Sequence, residues 1–70
     1  MYKVYQVIEN EEGNWETGEM NFKEFSNLRR AVEYAEGIHV NAPLYLLKRG
    51  WKVVTSVLEG NNEILMYSAK

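Results

Sequence analysis

Residues 2–9 (YKVYQVIE) are dominated by β-branched and aromatic side chains. Polar and apolar positions alternate along this stretch, a period of two that predicts a half-buried β-strand. One face of the predicted strand carries Tyr2, Val4 and Ile8, and the other carries Lys3, Tyr5, Val7 and Glu9. The chain is therefore expected to be built around a sheet.

A turn and a second strand are predicted directly after this strand. Residues 10–14 (NEEGN) are typical of a turn, because Gly and Asn tolerate positive φ angles. Residues 15–20 can then return as a shorter strand and close a hairpin.

One amphipathic helix is expected to follow the hairpin. Asn21 is placed to cap it, Glu24 lies three residues later, and Met20 can pack against Phe25. Gly37 is predicted to end the helix. The residues at helical spacing on its apolar face are Phe25, Leu28, Ala31, Val32 and Ala35.

Three more strands are predicted after a linker at residues 38–43. Thr55 and Ser56 suit a half-solvated face of the middle strand. The strands span residues 44–47, 51–58 and 63–67, and turns lie at residues 48–50 and 59–62. The resulting order ββαβββ is a small α+β fold, in which one helix packs on one face of a mostly antiparallel sheet.

The length of 70 residues allows a single domain, residues 1–70, with a small core. Apolar residues make up 46% of the chain, which is too rich for intrinsic disorder. Self-association would bury apolar area that one copy leaves wet, so we expect a homodimer.

Several classes of protein are disfavoured by composition. The chain has no Cys, which excludes a disulfide framework and a thiolate nucleophile and indicates a reducing compartment. No apolar run approaches the length of a membrane span, and the N-terminus lacks the pattern of a signal peptide. We expect a cytoplasmic protein that does not enter a membrane.

Enzyme chemistry is also disfavoured. His39 is the only histidine, and the chain has no Asp to orient it as a general base. Glu33 and Glu36 are best read as a solvated helix pair, and the five Gly residues form no phosphate-binding motif. The expectation is a non-enzymatic protein without a cofactor or metal.

Charge is distributed unevenly along the chain. Residues 1–36 hold eight Glu against four Lys and Arg, a balance of −4, whereas residues 37–70 have a balance of +2. Such an asymmetry indicates which sign of partner each region attracts. The first hypothesis places partner binding on residues 9–19, the acidic hairpin, where carboxylates would take positions that DNA phosphates otherwise occupy on a basic protein. Its candidate residues are Glu9, Glu11, Glu12, Trp15, Glu16 and Glu19.

Two alternatives remain open. Residues 48–52, the basic turn, combine three cations with an indole, as single-stranded nucleic-acid binders do, although the acidic first half would repel a nucleic acid. The candidate residues of this alternative are Lys48, Arg49, Trp51 and Lys52. The other alternative is an interaction module with an apolar aromatic interface, anchored by Tyr2, Tyr5, Trp15 or Tyr67.

In size and style the chain resembles the small inhibitor proteins that bacteriophages encode to disable host functions. The resemblance rests on a short, Cys-free acidic chain that opens MYKVY and carries the capped-helix pattern FSNLRRA at residues 25–31. It implies a stoichiometric inhibitor of a host protein, such as a nucleoid-associated protein. We therefore expect an inhibitor whose acidic hairpin binds a basic, DNA-binding surface of its target.

Overall fold

The computed structural model describes residues 1–69 and contains one antiparallel sheet with one α-helix on one face. The elements are strand β1 (Tyr2–Glu9), strand β2 (Met20–Phe25), helix α1 (Leu28–Val40), a 3-10 helix (Leu44–Leu46), strand β3 (Lys52–Glu59) and strand β4 (Asn62–Ala69). The sheet has four strands in the order β2-β1-β3-β4. The predicted α+β class, with the helix packed on the sheet, is confirmed.

Strand β1 holds the sheet together because it pairs with β2 on one side and with β3 on the other. Its alternating pattern gives each face a different role. Val4 is completely buried beneath the helix, whereas Tyr5, the next residue, lies on the face that α1 does not cover. Strands β3 and β4 form a hairpin through a turn in which Gly60 has a φ of 61°.

The core beneath the helix is small. Ala31 and Ala35 of α1 pack on Val4 and Val57 of the central strands, and none of these four side chains has exposed surface. Alanine at both helix positions lets α1 lie close to the sheet. Larger, partly buried side chains surround this centre: Tyr2, Phe25, Tyr34, Ile38 and Tyr67.

A polar network lies beside this core. The side chain of Gln6, only 1% exposed, donates from Nε2 to the carbonyl oxygen of Ile38 at 3.1 Å and to Thr55 Oγ1 at 3.0 Å. Its Oε1 accepts a hydrogen bond from Asn21 Nδ2 at 3.0 Å, and His39 Nδ1 lies 3.0 Å from Thr55 Oγ1. Since the last carbonyls of a helix have no partner within it, Gln6 satisfies one of them and ties α1 to the sheet.

The helix boundaries differ from those predicted. Residues 20–25 form β2 rather than the start of the helix, and the cap is Asn27, whose Oδ1 accepts from Arg30 N at 3.2 Å. Gly37 lies within α1, which continues to Val40 and is capped by Asn41. The predicted cap, Asn21, instead sits in β2 with a φ of 53°, at a break in the β1–β2 register.

The strand assignments need three corrections. Residues 15–20 were expected as a strand, but before β2 begins at Met20 only an isolated bridge from Trp15 to Glu9 pairs with β1. The predicted strand at residues 44–47 is the 3-10 helix, so the sheet has four strands and the order is ββαββ. Thr55 and Ser56 are fully buried rather than half-solvated, and Thr55 lies between the sheet and the end of α1, where its Oγ1 contacts Gln6 and His39.

Candidate partner-binding surface

The acidic hairpin has an ordered tip organised by Asn10. Its Oδ1 accepts hydrogen bonds from the backbone N–H groups of Glu12 at 2.9 Å and Asn14 at 3.0 Å. The backbone N–H of Asn10 also donates to the carbonyl of Asn14 at 2.9 Å. Asn side chains favour such local backbone bonds in turns, and here one side chain fixes most of the loop.

Two of the hairpin carboxylates are held by neighbouring amides. Glu16 Oε1 accepts from Asn10 Nδ2 at 2.7 Å, and Glu12 Oε2 accepts from Asn14 Nδ2 at 3.5 Å. Glu11 and Glu19 are exposed, as are these two residues. The carboxylates thus lie on the surface, and a folded loop determines the position of at least one of them.

Trp15 is the apolar centre of the acidic hairpin. Its indole is 51% exposed and packs against the ring of Tyr5, with a centroid distance of 5.7 Å. The Cα register pairs Trp15 with Glu9, which places both on the sheet face opposite the helix. A half-exposed aromatic ring bordered by charged groups has the form of an interface anchor.

The return from the tip is also fixed to β1. The backbone N–H of Ile8 donates to Thr17 Oγ1 at 3.1 Å, and its carbonyl accepts from Glu16 N at 2.7 Å. These two bonds extend the pairing of β1 beyond β2. They hold Trp15 and Glu16 against the sheet, although this segment is not a regular strand.

The basic turn lies beside the acidic hairpin. A Cβ built on Gly50 would stand 2.9 Å from Glu11 Oε2, and Lys52 is the Cα partner of Glu9 across β1 and β3. The fold therefore joins two segments that the sequence presents as separate candidates. Together they hold five Glu and three cations, a balance of −2.

Within the basic turn, a lysine side chain packs on the ring of Trp51. Lys48 Nζ lies 5.1 Å from the centroid of the Trp51 ring, a cation–π geometry. Trp51 and Lys52 are half-buried, whereas Lys48 and Arg49 are exposed. A base stacking on Trp51 would have to compete with this ammonium group and would approach the Glu11 carboxylate.

The contact between the two segments predicts a specific sensitivity at Gly50. Gly50→Ala should lower the free energy of unfolding by about 1–2 kcal/mol, because its φ of 84° disfavours an L side chain and the new methyl group meets Glu11. Gly13→Ala is the matched control, since Gly13 has the same φ of 84° but no neighbour within 4 Å. Urea unfolding of both variants checks this, and equal stabilities would contradict the contact.

A second surface is the sheet face that the helix leaves open. Among its exposed apolar side chains are Trp15 of the acidic hairpin, Phe22 of β2 and Met66 of β4. Of the other proposed aromatic anchors, Tyr5 lies on this face, while Tyr2 and Tyr67 pack partly into the core under the helix. The centre of this face, at Val7 and Val54, is itself buried, so the exposed apolar side chains lie around it.

The residues that sequence reasoning missed are polar: Asn10, which orders the hairpin tip, and Gln6, which anchors the helix. For Asn10 the signal was present, because Asn before a Gly-containing turn often bonds to the backbone two residues on. Within residues 1–69, no three metal-ligating side chains come together. In this same part of the chain, no helix is long and apolar enough to cross a membrane.

Comparison of the chain with protein-family models, curated proteins and solved structures finds no match.

Proposed function

We propose that this chain is a non-enzymatic protein-binding inhibitor, and that its acidic hairpin occupies a basic surface of its partner. The observation that carries the proposal is the ordering of the hairpin by Asn10, which binds both the loop backbone and the Glu16 carboxylate. Because these groups are fixed before binding, little conformational entropy is lost on association.

The chemistry of the partner follows from the charges and the ring. Carboxylates on a fixed loop attract Lys and Arg and can replace DNA phosphates in a basic groove. Trp15 needs an apolar pocket among those basic residues to bury its exposed half. In line with the resemblance to small bacteriophage inhibitors, we propose a DNA-binding host protein, such as a nucleoid-associated protein, met in the host cytoplasm.

The basic turn makes the surface selective rather than broadly DNA-like. Its three cations stand next to the acidic hairpin and reduce the negative charge at that end of the molecule. A partner whose groove is basic throughout would meet these cations as well as the carboxylates. The favoured partner therefore has a limited basic patch beside an apolar pocket, instead of a long uniformly basic groove.

Charge reversal tests the proposal. The full chain is used to capture proteins from bacterial lysate in parallel with and without nuclease treatment, and a captured basic protein is then purified and titrated. A variant with Glu11, Glu12, Glu16 and Glu19 changed to Lys should bind it at least about tenfold more weakly, because charge pairs at the contact become like-charged. DNA should compete with the wild-type chain for the same protein.

A matched variant controls for net charge. Changing Glu24, Glu33, Glu36 and Glu63 to Lys alters the total charge equally, and all four side chains are exposed outside the acidic hairpin. This control should keep near wild-type affinity, with circular dichroism confirming that both variants fold. Equal losses in the two variants would refute the acidic hairpin as the site. Recovery of nucleic acid without any nuclease-resistant protein would move the site to the basic turn.

A further inference from the structure

Strand β4 is a long sheet edge without charges along most of its length. Residues 64–69 contain no charged side chain, and β4 pairs with β3 on one side only. Leu65 is 38% exposed and Met66 is 55% exposed. An exposed apolar edge of this kind offers unpaired backbone groups to another strand.

The opposite edge of the sheet is protected in the usual ways. The register of β2 against β1 breaks between Val4 and Gln6, and Asn21 has a positive φ at this break. Lys23 and Glu24 then put charges on the same strand. Breaks and charges discourage edge-to-edge pairing, so the two edges of the sheet differ in their readiness to accept a partner.

The helix also leaves most of β4 uncovered. Helix α1 packs across β1, β3 and β2, and β4 contributes Tyr67 to the margin of the core. Leu65 points to the same side as Tyr67, two residues away, yet more than a third of it remains exposed. A neighbouring strand would cover Leu65 on the helix side and Met66 on the open face.

The direction of the free backbone groups follows from the ladder. The backbone N–H and C=O of Ile8 point to the β2 side of β1. Because these groups point to opposite sides in successive residues of a strand, the N–H and C=O of Val7 point toward β3. Val7 pairs with Val54, so the backbone groups of Val54 point to β1 and not to β4. The residues of β4 opposite Val54 and Ser56, which are Ser68 and Met66, therefore point their N–H and C=O groups outward. These are the groups that a pairing strand would bind.

We propose that a second copy of this chain pairs there, β4 against β4 and antiparallel, across a two-fold axis. Such an interface is self-complementary, because each strand supplies the same donors, acceptors and apolar side chains. Two copies of the uncharged segment can pair without repulsion between like charges, whereas a strongly basic partner would find no opposite charge there. The product is a continuous eight-stranded sheet.

The size of the contact sets the expected strength. Eight residues of strand extend about 26 Å, and the strip that they cover is smaller than a standard interface of about 800 Å² per partner. We therefore expect a reversible, micromolar dimer. Antiparallel pairing also places the two acidic hairpins at opposite ends of the joined sheet, so each would remain free to bind. The dimer does not depend on the function proposed above.

Sedimentation of the full chain over a range of concentrations tests this dimer. The wild-type mass should rise from monomer to dimer, and Met66→Lys should shift the transition to at least about tenfold higher concentration, because it puts a charge on the pairing edge of each copy. Phe22→Lys is the matched control: Phe22 is 47% exposed on the protected edge strand, and its variant should dimerise like the wild type.

Amide hydrogen exchange of the wild-type chain gives a second readout that needs no variant. The amides of Met66 and Ser68 should exchange more slowly at high protein concentration, while amides in β2 should not change. A chain that stays monomeric would overturn the proposal. A dimer weakened equally by Phe22→Lys, or unaffected by Met66→Lys with unchanged Met66 and Ser68 exchange, would place the interface elsewhere and overturn it too.

Discussion

Replacing Gln6 with alanine is expected to unfold much of this chain at room temperature. The substitution removes one buried and two partly buried hydrogen bonds and leaves a cavity between the sheet and the end of α1. The carbonyl of Ile38 and the hydroxyl of Thr55 lose a donor in a place that water reaches poorly. Together these effects should cost about 3–5 kcal/mol, which is comparable to the upper limit of roughly 3–5 kcal/mol that a core of this size usually supplies.

Two companion variants make the Gln6 prediction specific. Thr55→Val keeps the shape of the side chain but removes the oxygen that faces Gln6 and His39, and it should cost about 1–3 kcal/mol. Lys3→Ala, in the same strand but on the open face, should change stability by less than about 0.5 kcal/mol. Urea titration followed by circular dichroism measures all three variants. A Gln6→Ala protein within about 1 kcal/mol of wild type would show that the network contributes little.

The parts of the fold that local periodicity determines could be predicted from the sequence. Strand β1 was predicted with its observed bounds, and β3 lies within one residue of its predicted range. Of the predicted helix face, Ala31 and Ala35 are the buried helix residues and Val32 is half-buried, whereas Leu28 is 42% exposed and Phe25 belongs to β2. In each case one pattern fits the stretch and no equally good alternative competes with it.

Where two local patterns compete, tertiary pairing decides. The segment at residues 20–25 can start a helix, because Asn21 and Glu24 fit a capping pattern, and it can equally form a strand. Pairing with β1 selects the strand, and Asn27 then supplies the cap six residues later. Gly37 is tolerated inside the helix because Asn41 binds its carbonyl through both backbone and side chain.

The candidate surface was predictable in composition but not in arrangement. Exposed carboxylates around Trp15 follow from the sequence, since a polar turn has to lie at the surface. The approach of the basic turn follows from the pairing of Glu9 with Lys52, which are 43 positions apart. The sequence alone therefore overstates the charge separation of the folded molecule.

The closeness of the helix to the sheet should make Ala35 intolerant of a larger side chain. Ala35 has no exposed surface and belongs to the four-residue centre of the core with Val4 and Val57. The three additional carbon atoms in Ala35→Leu would meet the side chains already packed around Ala35, so α1 has to move outward or side chains have to adopt strained rotamers. Overpacking of this kind costs about 1–3 kcal/mol, which corresponds to a fall in Tm of roughly 5–20 °C for a chain of this size.

The neighbouring position separates this packing effect from helix propensity. Glu36→Leu introduces the same side chain one residue later on the exposed side of α1, and it should change stability by no more than about 0.5 kcal/mol. Lifting the helix would also lengthen the bond from Gln6 Nε2 to the Ile38 carbonyl. The side-chain amide protons of Gln6 should therefore exchange faster in Ala35→Leu than in Glu36→Leu. Equal Tm values for the two variants would mean that the helix adjusts to the leucine without loss, and that alanine at position 35 does not set its distance from the sheet.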